Sequence, residues 1–284
     1  MNYRHAFHAG GFVDVTKHLI LTRLVEYLKR KPAAFRVIDT HAGLGRYDLA
    51  SEEARRSPEW MEGIQRLLDQ PLPAAAAALA APYLEVVRAE NPGDELRWYP
   101  GSPWLVRKLL RLQDRLFAME LHPDDAKTLA ALFAGDVQTR VIGLDGWLAL
   151  GSQLPPKEKR GLVLIDPPFE EPGEFDRLAE GLVRAHRRWP GGVYALWYPV
   201  KDPRERDGFL GALLETGIPK ILRTELAVRS PARPPRLFGT GMIIVNPPFT
   251  LKEELETLLP PLADRLADGG RGGTTIEWLR GEDS

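Results

Sequence analysis

Short, almost wholly apolar runs alternate with longer helical segments along most of this 284-residue chain, and this alternation limits the possible folds more than any other feature. A helical segment at residues 12–30 precedes the first run, and further runs follow at helix-length intervals. Strands that are apolar on both faces are typical of a parallel sheet covered by helices on both sides. We therefore predict an α/β fold with strands within residues 35–40, 115–120, 139–145, 161–169, 191–200, 220–228 and 241–249.

The last two predicted strands, 220–228 and 241–249, are separated only by a loop rich in proline and arginine. Without a crossover helix they can pair only in the antiparallel sense. A mostly parallel seven-stranded sheet with one antiparallel strand is the architecture of Rossmann-like methyltransferases, although a fold alone does not determine function. Residues 274–279 have the pattern of a further short edge strand.

Residues 50–97 interrupt the alternation, being rich in Ala, Leu, Glu and Arg and containing five prolines. We predict an inserted helical subdomain here. The Rossmann-like domain would then consist of residues 1–49 and 98–284.

Composition and charge exclude several classes of function. The chain has no cysteine, which excludes disulfides, thiolate metal sites and a cysteine nucleophile, and its net charge of −1 is unlike that of a strongly basic nucleic-acid binder. The N-terminus lacks the apolar core of a signal peptide, and the proline-broken stretch 71–84 is too short to span a bilayer. We expect a cytoplasmic protein with no membrane contact. No set of His, Asp and Glu has metal-ligand spacing, so we also expect no metal.

Ligands of doubly wound sheets bind at the carboxyl ends of the strands, where three predicted strands carry glycine or an acidic residue. Asp39 opens the turn DTHAGLG, whose Gly-x-Gly lacks the third glycine of the dinucleotide fingerprint, which disfavours NAD. Glu120 ends the next strand and can accept hydrogen bonds from a ribose diol, or be an ordinary solvated carboxylate. Asp145, followed by Gly146, can accept from an adenine amine, or be a simple turn residue.

A fourth strand end, Asp166-Pro167-Pro168-Phe169, carries the most specific signal. Its prolines fix φ and leave carbonyls that have no neighbouring N–H group. Methylation of an exocyclic amine needs such acceptors, because the lone pair of the amine is delocalised into its ring. The Asp166 side chain and the Pro167 carbonyl can each accept an amine hydrogen and orient the lone pair. Phe169 can stack on a base taken out of its helix, so we predict Asp166, Pro167 and Phe169 as catalytic residues.

The same pattern recurs as Asn246-Pro247-Pro248-Phe249 after the last strand. A permuted enzyme that used this second motif would need a complete glycine-loop unit after it. Only residues 250–284 remain, which are too few. We therefore assign the chemistry to Asp166 and interpret the second motif as a structural turn.

Together these features resemble the RlmJ family, the bacterial 23S rRNA adenine-N6 methyltransferases that use S-adenosyl-L-methionine. The resemblance extends over essentially the whole chain and implies a Rossmann-like methyltransferase domain with a small helical insertion. It implies a 23S rRNA partner, and we expect a monomer. The motifs that carry it are YRHAFHAG, VTKH, DTHAGLGRY, YPGSP, MELHP, the DG after the third strand, LIDPPF, YALWYPV and MIIVNPP.

Matching motifs imply individual contacts as well. Tyr3, in YRHAFHAG, would touch the target nucleotide. Phe169 departs from the family, whose members commonly carry tyrosine there, so a hydroxyl role is lost while the ring remains. Without the resemblance, His18 would be interpreted as a surface histidine and Ser102 as a helix N-cap. The implied cofactor contacts are His18, His41, Ser102, Glu120, Asp145, Gly146 and Asp166.

Two arginine groups are candidate RNA contacts: Arg184, Arg187 and Arg188 at a helix end, and Arg229, Arg233 and Arg236 in the loop between the last two strands. We favour the arginines of the 229–236 loop, which would leave the sheet at the same edge as Asp166.

Three alternative functions stay open. The near alternatives are methylation of guanine N2 in rRNA or of adenine N6 in DNA. An alternative of another class is a non-catalytic RNA-binding protein, against which an intact Asp166 argues.

Overall fold

A computed structural model describes residues 5–93, 95–232, 234–269 and 272–281, so Tyr3 and Arg233 lie outside the described residues. The α-helices in these ranges are α1 (Phe12–Lys29), α2 (Glu52–Arg56), α3 (Arg66–Asp69), α4 (Ala74–Glu90), α5 (Ser102–Leu109), α6 (Pro123–Leu132), α7 (Gly146–Ser152), α8 (Glu174–Arg188), α9 (Pro203–Glu215) and α10 (Leu251–Leu266). The strands are β1 (Arg36–Asp39), β2 (Arg46–Asp48), β3 (Trp98–Pro100), β4 (Arg115–Met119), β5 (Thr139–Ile142), β6 (Gly161–Ile165), β7 (Val193–Val200), β8 (Ile221–Ala227), β9 (Gly239–Val245) and β10 (Gly273–Arg280).

Eight of these strands form one sheet in the order β10-β8-β9-β7-β6-β1-β4-β5. Every pair from β7 to β5 is parallel, whereas β9 runs antiparallel to both β7 and β8. This confirms the mostly parallel Rossmann-like sheet and the antiparallel pairing of the 220–228 and 241–249 strands. The predicted edge strand is also present, as β10 paired antiparallel with β8, and it brings the sheet to eight strands.

Helices cover both faces of the sheet, as the apolar strands predict. Side chains alternate along β6, so that Leu162 and Leu164 join the core beneath α1 and α10. Val163 and Ile165 join the core beneath α7 and α8. Each such fully buried aliphatic side chain contributes about 1.5–3 kcal/mol, so both faces of the strand stabilise the fold.

The segment 50–97 is helical, as expected, and a two-stranded ladder closes it. Strand β2 pairs antiparallel with β3, which brings the two ends of the segment together. Ile64, Leu67 and Tyr83 are buried in the same hydrophobic core as Leu21 of α1, and the division into a separate subdomain stays a prediction. Within the described ranges no single helix could cross a bilayer, although Met61–Asp69 and Ala74–Glu90, bent by 119°, pass that test of length and composition together.

Strand direction separates the two proline motifs. Because β9 is reversed, its last residue Val245 pairs with Tyr194 at the start of β7. Asn246 therefore lies at the edge of the sheet opposite to Asp166. Its side-chain amide donates to the carbonyls of Pro190 and Gly192, both at 2.8 Å, and its φ is +53°. These bonds support the interpretation of this motif as a structural turn.

Asn246→Gly should lower the free energy of unfolding by about 1–2 kcal/mol, because two side-chain hydrogen bonds are removed while the positive φ stays accessible. Asn246→Ala should cost about 1 kcal/mol more, since alanine is strained at this φ. Urea unfolding measures both values. Wild-type stability in the glycine variant would contradict the role assigned to the amide.

Candidate active site

A cavity of about 340 Å³ opens at the carboxyl edge of β1, β4, β5 and β6. Its volume falls in the range of small-molecule sites, about 300–1,000 Å³. Acidic side chains line much of it, yet among the described residues no three His, Asp or Glu are grouped as metal ligands would be. The lining brings together every residue predicted to contact the cofactor, namely His18, His41, Ser102, Glu120, Asp145, Gly146 and Asp166.

The turn after β1 fixes the carboxylate of Glu120. The backbone N–H groups of Gly43 and His122 donate to its two oxygens, each at 2.8 Å. Gly43 has a φ of +60°, which favours glycine, and a Cβ there would crowd the Tyr47 hydroxyl at 2.4 Å. Each carboxylate oxygen keeps a further lone pair, which can accept a ribose hydroxyl.

The opposite wall combines an acceptor with flat rings. Asp145 caps α7 by accepting from the Trp147 N–H at 2.8 Å through Oδ1. A Cβ at Gly146 would lie 2.2 Å from the Thr40 carbonyl oxygen, so this position has no room for a side chain. The His41 ring lies edge-on to Trp147, and burial lowers the pKa of His41 to about 4. This wall combines aromatic rings with one free carboxylate oxygen, so it can accept a flat heterocycle that carries an amine.

Behind the cavity residues Ser102 and His41 lies the Asp39 carboxylate, which is hidden from water. Ser102 donates to Asp39 Oδ2 at 2.6 Å, and the His41 N–H donates to Oδ1 at 3.3 Å. Burial raises the pKa of Asp39 to about 7, opposed by the Ser102 hydrogen bond. The N-cap of α5 is Gly101, so the alternative interpretation of Ser102 as the N-cap is wrong. His18 is also buried, and its Nδ1 lies 2.8 Å from the Tyr99 hydroxyl.

The turn after β6 places Asp166 and Pro167 along the cavity, whereas the Phe169 ring points elsewhere. Phe169 has a φ of +52°, in the left-handed region, and packs edge-on against Phe175 and Trp197 at centroid distances of 4.8 and 5.5 Å. Stacking of Phe169 on a base stays a prediction. Trp197, which is not among the predicted site residues, is an aromatic residue that lines the cavity here.

A buried lysine that sequence reasoning missed faces Asp166. Lys17 Nζ lies 2.5 Å from Asp166 Oδ2 and 3.0 Å from Asp14 Oδ1, and its side chain is 3% exposed. Asp14 also accepts from His5 Nε2 at 2.8 Å. Burial by itself would raise the pKa of Asp14, but His5 and Lys17 hold it well below its usual value. The available sequence signal was the three-residue spacing of Asp14 and Lys17 on an otherwise apolar helix face.

The ion pair leaves one half of the Asp166 carboxylate available. Oδ2 accepts from Lys17, while Oδ1 has no hydrogen-bond partner within the part of the chain that the structure describes. A buried charge without a partner costs several kcal/mol, so Lys17 compensates both acidic groups it contacts. The result is an oriented carboxylate with one open acceptor oxygen at the cavity wall.

The arginine loop leaves the sheet at the same edge as Asp166, as predicted. Strands β7 and β8 are both antiparallel to β9 and so end together, which places the described residues 228–232 and 234–238 at the carboxyl edge. Arg229 lies 3.7 Å from Asp268, and Arg236 is exposed. The other candidate group ends α8 just before β7, at the opposite edge; it consists of Arg184, Arg187 and Arg188.

The buried Asp39 should make stability depend on pH. Its pKa is raised to about 7, so between about pH 4 and pH 7 the folded state holds a proton that the unfolded state has lost. The stabilisation is therefore complete below about pH 4 and is lost as the pH rises through 7. Compared with Asp39→Asn, the free energy of unfolding of the wild type should fall by roughly 2–4 kcal/mol between pH 4 and pH 8. Urea unfolding across this range measures the difference, and parallel curves for the two proteins would contradict a raised pKa.

The likeness to known proteins covers nearly the entire chain. The family model described as "Ribosomal RNA large subunit methyltransferase D, RlmJ" matches residues 32–280. "Ribosomal RNA large subunit methyltransferase J" of Escherichia coli K12 is 42% identical over 98% of this chain and 99% of that protein. The protein of that name from Haemophilus influenzae is 41% identical over 99% of this chain and 100% of its own.

A solved structure agrees with these matches. A crystal structure of a Legionella pneumophila protein superposes with a TM-score of 0.87 at 36% identity, covering 95% of this chain and 98% of that one. The matches to the two relatives and to this crystal structure thus each cover almost the whole chain. This chain belongs to the RlmJ family of ribosomal RNA large subunit methyltransferases.

Proposed function

We propose that this chain transfers a methyl group from S-adenosylmethionine to the N6 amine of an adenine in 23S rRNA, and acts as a cytoplasmic monomer. The observation that carries the proposal is the Asp166 carboxylate, held by Lys17 at one oxygen and open at the other, next to Pro167 in the cavity. The relatives named for the large ribosomal subunit support an RNA substrate.

The target amine needs two acceptors. Its lone pair is delocalised into the purine, so the free amine is a poor nucleophile. Asp166 Oδ1 and the Pro167 carbonyl each accept one amine hydrogen, which holds the nitrogen with its lone pair directed out of the ring plane. Lys17 keeps the carboxylate from rotating. Formation of the new C–N bond would be matched by cleavage of the methyl–sulfur bond, with the neutral thioether S-adenosylhomocysteine as the leaving group. The nitrogen would then be positively charged, and the Asp166 oxygen that accepts its N–H is the first group placed to receive the proton.

The remaining cavity residues hold the cofactor, which supplies an electrophilic methyl group on a sulfonium when bound. Glu120 accepts from the ribose hydroxyls and Asp145 from the adenine amine, since each has a free acceptor at the wall. Ser102 lines the cavity and donates its own proton to Asp39, so its hydroxyl oxygen keeps lone pairs that accept from the ammonium group of the amino-acid end. Burial lowers the pKa of His18 to about 3, so His18 contributes a neutral ring.

Asp166→Ala should reduce methyl transfer by at least about 10²-fold while leaving the affinity for S-adenosylhomocysteine within a few-fold, because it removes an acceptor used by the substrate amine. Tritiated methyl transfer to protein-free, unmodified 23S rRNA, followed by nucleoside mass spectrometry, measures the product. Asp176→Ala, an exposed aspartate on α8, is the matched control and should remain active.

The same assay separates the alternatives. N6-methyladenosine that disappears with Asp166→Ala agrees with the proposal. Formation of N2-methylguanosine would favour a guanine-N2 methyltransferase instead. Methylation of DNA but not of RNA would favour a DNA adenine-N6 methyltransferase. Full activity of Asp166→Ala would contradict the assignment of the acceptor.

The proposed RNA path runs over the rim beside the cavity. Lys201 and Arg204 follow β7, and with prolines of the 228–238 loop they line a shared groove. Arg236 is exposed on the same loop. Asp202, the acid in this groove, is already used to cap α9 by accepting from the Arg204 N–H at 2.9 Å. Of the three charged residues that line the groove, Lys201 and Arg204 are positive, and these two suit RNA phosphates.

Replacing Lys201, Arg204 and Arg236 together by glutamine should weaken RNA binding and flatten its salt dependence. The logarithmic slope should fall by about 0.7 for each phosphate that the variant no longer neutralises. Fluorescence anisotropy with a 23S rRNA transcript at several salt concentrations measures the slope. The control with the same charge change is Lys31, Lys157 and Arg187 to glutamine, all exposed at the opposite edge. Equal slopes for the two triple variants would refute this path.

A further inference from the structure

A chain of buried hydrogen bonds connects the segment 50–97 with the cavity. The Tyr83 hydroxyl on α4 lies 3.0 Å from the Tyr99 hydroxyl on β3, which lies 2.8 Å from Nδ1 of His18 on α1. Tyr83 and Tyr99 are 0% exposed and His18 is 1% exposed. The Tyr99 and His18 rings also stack, with centroids 5.6 Å apart and planes 22° from parallel. The three groups thus form one ordered unit.

The hydrogen bonds among Tyr83, Tyr99 and His18 can run in either of two directions, and their surroundings favour one. If His18 Nδ1 donated to Tyr99 and Tyr99 donated to Tyr83, the Tyr83 proton would find no acceptor among the described residues. In the opposite direction Tyr83 donates to Tyr99 and Tyr99 donates to His18, so both hydroxyl protons are used. A buried donor left without an acceptor is costly enough to bias the equilibrium by about tenfold or more.

We infer that Tyr83 and Tyr99 act as positioning residues that fix His18 as the tautomer protonated at Nε2, so that His18 presents a hydrogen-bond donor to the cavity. His18 lines the cavity, and within the described ranges its Nε2 has no hydrogen-bond partner. Burial lowers the pKa of His18 to about 3, against the field of Asp14, so the ring is neutral and its tautomer decides what it can bind.

The tautomer selects the chemistry of the ligand group at this wall. A neutral ring with its proton on Nε2 donates and cannot accept there, so it suits a carboxylate and disfavours an ammonium group. This step rests on the proposed function: the group is the α-carboxylate of the cofactor, because Ser102 donates its own proton to Asp39 and so offers an acceptor to the ammonium group. The helical segment 50–97 then contributes to cofactor binding through Tyr83, although Tyr83 does not line the cavity.

The first test needs no ligand. In the full chain labelled with ¹⁵N-histidine, two-bond ¹H–¹⁵N spectra at neutral pH distinguish protonated from unprotonated ring nitrogens, and His18→Gln identifies the His18 signals. We expect Nε2 protonated in the wild type and a shift toward a mixture of tautomers in Tyr99→Phe. A proton on Nδ1 in the wild type, or an unchanged tautomer in Tyr99→Phe, would overturn the inference.

The second test uses calorimetry with S-adenosylhomocysteine. Tyr99→Phe should weaken binding by about three- to tenfold and Tyr83→Phe by less. The double variant should bind as Tyr99→Phe does, because Tyr83 acts only through Tyr99. His18→Gln, whose amide keeps a donor near the Nε2 position, should bind better than His18→Ala. Additive losses in the double variant would overturn the relay.

Tyr194→Phe is the matched control for removing a buried hydroxyl. Tyr194 lies against the other face of the sheet and donates to the carbonyls of Ala185 and Trp189. It should change neither the His18 tautomer nor the affinity, and an equal loss of affinity here would identify a general structural effect and refute the inference. Wild-type protein that binds no S-adenosylhomocysteine would instead contradict the proposed function, while the spectra would still decide the tautomer.

Discussion

The ammonium group of Lys17 lies between two carboxylates that are almost removed from water, Asp14 on its own helix and Asp166 at the end of β6. This arrangement connects the first helix of the chain to the turn that carries the proposed chemistry. Either carboxylate would be unfavourable in this place without the lysine. Because His5 also bonds to Asp14, the region before α1 is connected to the same network. The orientation of the open Asp166 oxygen therefore depends on residues that are remote in sequence.

The direction of a strand decides what a proline motif can do in this molecule. Two [Asp/Asn]-Pro-Pro-Phe segments follow apolar strands, and their letters alone do not distinguish them. Strand β6 runs with the parallel strands and delivers Asp166 to the edge where the glycine turn and Glu120 lie. Strand β9 runs the other way and delivers Asn246 to the loop before β7, where its amide bonds to backbone carbonyls. The missing helix before β9 already predicted this reversal.

Sequence reasoning located the strands and their ends because both depend on local patterns. Fully apolar runs predict buried parallel strands, and an acid or glycine at the end of such a run stands out. Lys17 was missed because a lysine on a helix is normally solvated, and its burial depends on Asp166, 149 residues away. The orientation of the Phe169 ring depends on the backbone at that residue and on Phe175 and Trp197, which no local pattern specifies. The β2–β3 ladder joins two three-residue strands that are too short for periodicity to reveal.

That small ladder has a consequence for how the family can vary. Pairing of Arg46 with Pro100 means that the chain leaves the α/β core and returns to it at nearly the same point. The length and sequence of the intervening helices can change without altering the order or register of the large sheet. Tyr99, within the ladder, nevertheless lies in hydrogen-bond contact with His18. Evolution can thus alter the amino-acid side of the proposed cofactor site through substitutions in a peripheral segment, while the turn that carries Asp166 stays constant.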